Sequence, residues 1–352
     1  MKQIEVGIIG TGWCGGIRAE ACAKHPGVAA LHLAEIRPER LGEVAKSTGA
    51  KSATTDYKAL LRNDAIEAVF ISATPEHLHY PMARESLLAG KHVFLEKPIA
   101  LEFQEADELV ELARERKLKF TIGYSQRFNP KYAYVKKSIA DGTLGKPVSA
   151  LVSRHITRGL GSKISGRVKL SPAAMEATHD IDFVLWCLEP AKPVRVYSQN
   201  VFRMRHETQP GVPDCQWIMV TMDNGVVFTI GAGWILPPGH PNFSCTWIEF
   251  VGSEGSLLVD DTHRDVWLNT MRRGTTFPMS TMPGEPVGHV FAGPMASETL
   301  HFVDAVANGT PVLVTPESAR LVMEVYTAAD LSAERNEPVA LPLPTQKPAR
   351  LT

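Results

Sequence analysis

The chain has no apolar run approaching the ~20 residues that a membrane-spanning helix needs, and it is poor in cysteine. Its 352 residues hold five, Cys14, Cys22, Cys187, Cys215 and Cys245. None forms a CxxC, and an odd count in a chain of this length excludes a disulfide framework; the thiols fit a reducing compartment. Charge of one sign is also missing. Lys plus Arg number 37 against 38 Asp plus Glu, a formal net charge of -1. Without clustered positive charge, nucleic acid and anionic membrane are excluded as the main partner. No HxxxH occurs, and His77 and His79, two apart beside Glu76, lie on one of the strand-end segments taken up below, so no metal is expected. Met1-Lys2-Gln3-Ile4 enters an apolar strand at once, leaving no room for a leader; the expected compartment is the cytoplasm.

What is present is a hydrophobic fraction of 44% with 21% charged residues, the balance of a globular protein. Its length suggests about two domains. Through residue 124, short apolar runs alternate with helical stretches: Ile4 to Ile9, Ala29 to Ala34, Ala68 to Ala73, His92 to Leu95 and Leu118 to Ile122 read as strands. A βαβα order of this kind folds as a doubly wound parallel sheet. From residue 125 to 340 long strand-like segments take over, among them Pro147 to Thr157, Val194 to Phe202, Cys215 to Met222 and Thr246 to Val251, with an Asn224-Gly225 hairpin signal. Helical stretches interrupt them at Ala173 to Leu188 and Ala296 to Ala307, and Pro316 to Glu334 follows. The expected fold class is therefore α/β: a Rossmann domain over 1–124, then an α/β domain over 125–340 with a large open, mostly antiparallel sheet. A Pro-rich tail over 341–352 ends the chain. An open sheet needs cover on its second face, which subunit pairing into a dimer or tetramer would supply.

Gly10-Thr11-Gly12-Trp13-Cys14-Gly15 directly follows the first strand and opens a helix. In that context GxGxxG is a dinucleotide fingerprint. Gly10 makes the tight turn, Gly12 lets backbone approach a pyrophosphate, and Gly15 lets helix and strand pack. N–H groups near Trp13 and Cys14 would meet the phosphate charge. Glu35 ends the second strand, 20 residues after Gly15, where a carboxylate bonds both ribose hydroxyls and repels a 2′-phosphate. That favours NAD over NADP, although Arg37 is a guanidinium that can accommodate the phosphate.

In a doubly wound sheet the segments after each strand share the carboxyl edge with the glycine turn. Thr74-Pro75-Glu76-His77-Leu78-His79, Glu96-Lys97-Pro98 and Tyr124-Ser125-Gln126-Arg127-Phe128-Asn129 are those segments here. The Lys97 ammonium can hold a substrate hydroxyl and stabilise the alkoxide forming there; the plain alternative is a surface lysine. Tyr124 sits at the same edge.

Together with the glycine turn, Thr-Pro-x-His-x-His, the block Ala89 to Pro98 with its Glu-Lys-Pro, and Gly123 to Pro130 resemble the glucose–fructose oxidoreductase / inositol dehydrogenase / rhizopine catabolism (Gfo/Idh/MocA) family. The resemblance spans nearly the whole chain. It implies a nicotinamide cofactor and hydride transfer on a sugar, polyol or related alcohol. It implies Thr74, Pro75, His79, Glu96 and Lys97 as cofactor-side residues and Arg127 for cofactor or substrate. It further implies a catalytic histidine on a substrate-domain helix, and His179 in Glu176-Ala177-Thr178-His179-Asp180-Ile181-Asp182 matches it. The family's aspartate four residues earlier is Met175 here. At 100° per residue Met175, Glu176, Asp182 and Phe183 lie near His179 on a helix face, so Glu176 can stand in for that aspartate, or Lys97 and His179 suffice. Catalysis is assigned to Lys97 and His179. Substrate binding is assigned to Lys97, Tyr124, Arg127, His155, Glu176 and His179; for His155 a solvated strand histidine is an equal reading. Trp234 can stack on a sugar face, although it reads as core. Other classes stay open: a dihydrodiol or other ring-diol dehydrogenase, for which Phe202, Met204, Trp217, Met219 and Trp234 would permit an apolar pocket, and a non-catalytic NAD-binding regulator.

Overall fold

The computed structural model describes residues 2–165, 169–204, 211–242, 244–262, 266–272, 274–276, 285–288 and 290–344. Two compact units emerge, and neither is contiguous. The first is Met1–Asn129 with Thr281–Arg320; the second is Pro130–Ser280 with Leu321–Thr352.

The first unit is built on strands β1 (Ile4–Ile9), β2 (Val28–Ala34), β3 (Ser52–Thr54), β4 (Ile66–Ile71), β5 (His92–Leu95) and β6 (Phe120–Ile122), in the order β3-β2-β1-β4-β5-β6. All their pairings are parallel. This is the Rossmann order, with the direction of winding reversing between β1 and β4. Their apolar, β-branched composition reflects burial on both faces: Val6, Ile8, Ala68, Val69 and Phe70 are fully buried.

Local signals place the helices. α1 (Trp13–Ala23) starts from Gly12, and α2 (Pro38–Thr48) has proline in its first turn and stops at Gly49 in the left-handed region. α3 (Tyr57–Leu61) is capped by the Asp56 side chain, which accepts from the Lys58 N–H at 2.9 Å. α4 is His79–Leu88, and α5 (Phe103–Glu115) carries a reciprocal Glu102/Glu105 capping box. A later helix, Pro294–Asn308, ends at left-handed Gly309. It belongs to this unit although it follows the second sheet in sequence: its Phe302, Val303, Val306 and Ala307 join Val6, Phe70 and Phe94 in one core cluster. Phe70, Phe94 and Phe302 meet at centroid distances of 5.3–5.8 Å.

The second unit holds α6 (Pro130–Ala140), β7 (Pro147–Thr157), α7 (Arg158–Ser165), α8 (Thr178–Leu188), β8 (Pro193–Val201), β9 (Cys215–Met222), β10 (Val227–Leu236), β11 (Ser244–Gly252) and β12 (Ser256–Asp261). Its seven-stranded sheet runs β12-β11-β7-β10-β9-β8, with Val339–Ala340 at the far edge. Only β7 and β10 pair in parallel; the other pairings are antiparallel, as the sequence suggested. Alternation fixes the faces. Val152, Arg154, Ile156, Ile230, Trp234, Ile248 and Phe250 point to the side covered by α6 and α8, where Phe183 packs on Tyr132 and Phe250. Leu151, Trp217, Met219, Trp247 and Val251 point to the other side and are exposed. β10 runs unbroken through Gly231 and Gly233. The Trp217 ring lies where a Gly231 Cβ would stand, and Cys215 crowds the Gly233 position, so glycine is what lets the strands approach.

Asp330, on the helix Pro316–Arg335, ties this unit to the segment leading into α8. It accepts from Ser171 Oγ at 2.9 Å and Gln216 Nε2 at 3.1 Å, and Gln216 Oε1 accepts from the Ala173 N–H. Burial pushes its carboxyl up to about 6, against the lowering effect of these two hydrogen bonds. The unfolded carboxyl, at about 3.9, loses its proton first as pH rises. Stability therefore falls between about pH 4 and 6 by up to ~3 kcal/mol and then levels off. Thermal unfolding of Asp330→Asn against the parent at pH 4, 5, 6 and 7 is expected to show the variant gaining relative stability across that window. A constant difference would remove Asp330 as the cause.

Candidate active site

The carboxyl ends of β1, β2 and β4 form a crevice lined by Gly10, Gly12, Glu35, Arg37, Thr74 and Met82, among others. Gly10 has φ +84°, and a Cβ there would meet the Ala73 backbone at 2.8 Å. A Cβ at Gly15 would stand 1.9 Å from Gly10 O, whereas one at Gly12 meets nothing within 4 Å. The turn is thus closed at its first and third glycines and open at the second, which is the side a phosphate needs. Trp13, the first residue of α1, is 67% exposed. Cys14 is half-buried, and desolvation pushes its thiol up to about 12, so it stays protonated near neutral pH.

Glu35 is 6% exposed. Its Oε2 accepts from the Thr11 N–H at 2.8 Å and its Oε1 from Arg37 Nε at 3.0 Å. Burial alone would raise its carboxyl, but the bonds from Arg37 and Thr11 outweigh burial and hold it below the usual range. An ionised carboxylate at the end of β2 fits a free ribose diol, and the Arg37 guanidinium is engaged by that acid. The open glycine turn and this carboxylate together fit NAD.

Thr74, Glu96, Lys97 and Tyr124 stand at the carboxyl ends of β4, β5 and β6, as the sequence suggested, with Pro75 following Thr74. Lys97 is half-buried; Tyr124 is fully buried. Arg127 is buried and donates to Leu313 O at 3.1 Å and Ser318 Oγ at 3.3 Å, so part of its fork holds the loop before helix Pro316–Arg335. One assignment changes. His79, expected on the cofactor, is buried with both ring nitrogens against backbone carbonyls, Nδ1 2.8 Å from Pro98 O and Nε2 3.1 Å from Ala73 O. It bridges two loops rather than facing a ligand.

In the second unit, Ala173–Ala177 is a π-helical turn that runs directly into α8. The 100° wheel does not hold across such a turn, so the face once drawn through Met175, Glu176 and His179 is not the real one. Met175 instead packs with Ile156, Val212 and Trp234. Glu176 Oε1 accepts from Trp234 Nε1 at 2.7 Å, which ties this acid to a fully buried indole. His179 is half-buried, whereas residues 172–178 are all buried. Its neighbour Asp180 forms a buried bidentate pair with Arg154, at 2.6 and 2.8 Å. His155 belongs elsewhere: alternation along β7 turns it to the open face, near the Trp217 ring, away from the α8 side. Trp217 and Met219 share that open face, so they do not wall a pocket with Trp234. No cluster of metal-ligating side chains occurs among the described residues, and no described helix is long and apolar enough to cross a membrane.

Sequence reasoning missed two buried arginines, Arg18 and Arg154. The available signal was a cation on an inner face: Arg18 among the alanines of α1, and Arg154 in the inward series Ala150, Val152, Ile156.

Comparison with known proteins now decides the family. The model of the "Oxidoreductase family, NAD-binding Rossmann fold" matches residues 4–124, and its companion "Oxidoreductase family, C-terminal alpha/beta domain" matches 136–341. The chain belongs to the Gfo/Idh/MocA oxidoreductase family. These segments are contiguous, unlike the compact units, because helix Pro294–Asn308 lies in the second by sequence and in the first by packing. Among curated relatives, inositol 2-dehydrogenase of Rubrobacter xylanophilus is 31% identical over 73% of this chain and 72% of its own. Levoglucosan dehydrogenase of Pseudarthrobacter phenanthrenivorans is 31% identical over 75% of each. The crystal structure of Lactobacillus casei scyllo-inositol dehydrogenase with NAD(H) and scyllo-inositol superposes with a TM-score of 0.82, covering 96% of this chain and 99% of that one at 23% identity. At that identity the likeness speaks for the fold.

Proposed function

We propose that this NAD-dependent oxidoreductase oxidises a secondary alcohol of a sugar, inositol or related cyclic polyol. The observation that carries the reading is Lys97 at the same carboxyl edge as the open glycine turn and the Glu35 carboxylate. The substrate names of the relatives at 31% identity support it.

Gly10, Gly12, the N–H groups at the start of α1, Glu35 and Thr74 would hold NAD. When bound, it supplies the acceptor for the hydride leaving the carbinol carbon. Lys97 donates a hydrogen bond to the substrate oxygen and stabilises its developing negative charge, an effect worth about 3 kcal/mol, or ~10²-fold in rate. His179 takes the hydroxyl proton on an imidazole nitrogen, chemistry suited to a group whose ordinary pKa is ~6.5. Glu176, bonded to Trp234, serves the frame of that helix.

A ring-diol dehydrogenase is the alternative reading. NADH formation at 340 nm with inositols, pyranoses and cyclic dihydrodiols separates the two, with turnover on the polyols expected. Turnover on dihydrodiols alone would replace the first reading, and tight NAD binding without turnover on any alcohol would overturn both.

The exposed Leu151, Trp217, Met219, Trp247 and Val251 on the open face support a homodimer or homotetramer. Sedimentation equilibrium is expected to return a multiple of 38.5 kDa, and the monomer mass would overturn this. The five free cysteines support a cytoplasmic setting.

A further inference from the structure

Lys97 lies two residues past the end of β5, and its four-bond side chain can be aimed only if its backbone origin is fixed. Both of its neighbours are fixed by buried side chains. On one side, Glu96 Oε1 accepts from Arg18 Nε at 2.8 Å and lies 2.7 Å from Arg18 Nη2. Arg18 is 1% exposed and lies 3.9 Å over the Phe94 ring. Its Nη1 donates to Thr299 Oγ1 at 2.9 Å and its Nη2 to Glu298 Oε2 at 3.0 Å. The guanidinium therefore joins α1, the end of β5 and helix Pro294–Asn308. Gly123, just past β6, keeps room for it: a Cβ there would stand 3.0 Å from Glu96 Oε2 and 3.3 Å from Arg18 Nη2. On the other side, Pro98 O faces His79 Nδ1 at 2.8 Å, and the same ring reaches Ala73 O at the end of β4.

We propose that Arg18 and His79 are positioning residues for Lys97, Arg18 acting through the Glu96 carboxylate and His79 through the Pro98 carbonyl. The inference rests on the reading of Lys97 as the group that polarises the substrate oxygen. Effective catalysis holds reacting groups to within a fraction of an ångström, and a misplacement of about 1 Å costs about 10²-fold. The Arg18 fork carries two carboxylates and a hydroxyl at once; lysine, a point charge on a flexible stem, cannot repeat that geometry.

The test is a double-mutant cycle, assayed with the polyol that turns over fastest in the screen above. Arg18→Lys and His79→Gln are each expected to lower kcat by about 10–100-fold with KM for NAD within about threefold. In the Lys97→Met background the same substitutions are expected to leave the residual kcat unchanged, because the group they aim is gone. Equal losses in both backgrounds would overturn the proposal and leave the cluster a structural one. A loss below tenfold for Lys97→Met alone would instead remove the reading of Lys97 and the inference with it. If Arg18→Lys does not fold, His79→Gln carries the cycle. A measurement without turnover accompanies it: acetylation of Lys97 by limiting acetic anhydride, read by mass spectrometry on the apoprotein. His79→Gln is expected to change that rate at least threefold while leaving exposed Lys46 unchanged. An unchanged Lys97 rate counts against the proposal.

Discussion

His179→Ala is expected to lower kcat by about 10²–10⁴-fold, the usual contribution of a positioned general base, while the dissociation constant for NAD stays within about threefold. The separation follows from where the parts lie. The residues that would hold NAD follow β1, β2 and β4 or begin α1 in the first unit, and His179 is on α8 of the second. Removing an imidazole on a half-buried helix position leaves the glycine turn and the Glu35 carboxylate untouched. Stopped-flow absorbance at 340 nm measures the first quantity, and quenching of protein fluorescence by NAD the second. Parallel losses in both would give His179 a structural role. Lys97→Met is expected to lower kcat by about 10²-fold, the usual size of lost charge stabilisation. Asp180→Asn is the control for the helix itself: it weakens the buried pair with Arg154 without touching the imidazole.

The local parts of this molecule were legible in its sequence, and the long-range parts were not. Ile4 to Ile9, the glycine turn, Glu35 and the Glu-Lys-Pro block announce themselves within a few residues, because a buried parallel strand and a phosphate turn each leave a contiguous imprint. Helix α2 left little: only Leu41 and Val44 are buried in it, too few to show a 3.6-residue period. Strand β3 is three residues at a sheet edge. The role of Arg18 could not be read at all. Its partners Glu96, Glu298 and Thr299 are 78, 280 and 281 residues away, and a guanidinium on an inner helix face announces only that some acid must meet it. The wheel around His179 failed for a different reason. Periodicity assumes α-geometry, and the π turn at Ala173–Ala177 changes the angle per residue just before the histidine. His155 stayed between two readings because alternation gives two faces without saying which one α8 covers; Arg154, paired with Asp180, settles that.

Gly12→Val is expected to weaken cofactor binding while leaving the fold intact, and Gly15→Val is expected to destabilise the fold itself. The two glycines lie three residues apart in one turn, yet the space beyond their Cα atoms differs completely. At Gly12 φ is -61°, a value open to any L-residue, and an added Cβ meets no heavy atom within 4 Å. Valine there costs the protein little, but its methyls fill the space through which a pyrophosphate must approach the α1 N–H groups. Forcing such an overlap typically costs about 1–3 kcal/mol, or roughly 5–150-fold in affinity. At Gly15 the Cβ would stand 1.9 Å from Gly10 O, far inside the sum of the two atoms' van der Waals radii. The clash can be relieved only by parting α1 from β1, which breaks the contact that seats Ala19 and Cys22 in the core of the first unit. Thermal unfolding and NAD titration of the two variants separate these outcomes. Gly12→Val should unfold within a few degrees of the parent and bind NAD at least fivefold more weakly. Gly15→Val should lose several degrees of stability or fail to fold. Unimpaired NAD binding by Gly12→Val would mean that the dinucleotide does not cross this turn, and the crevice at the end of β2 would lose its assignment.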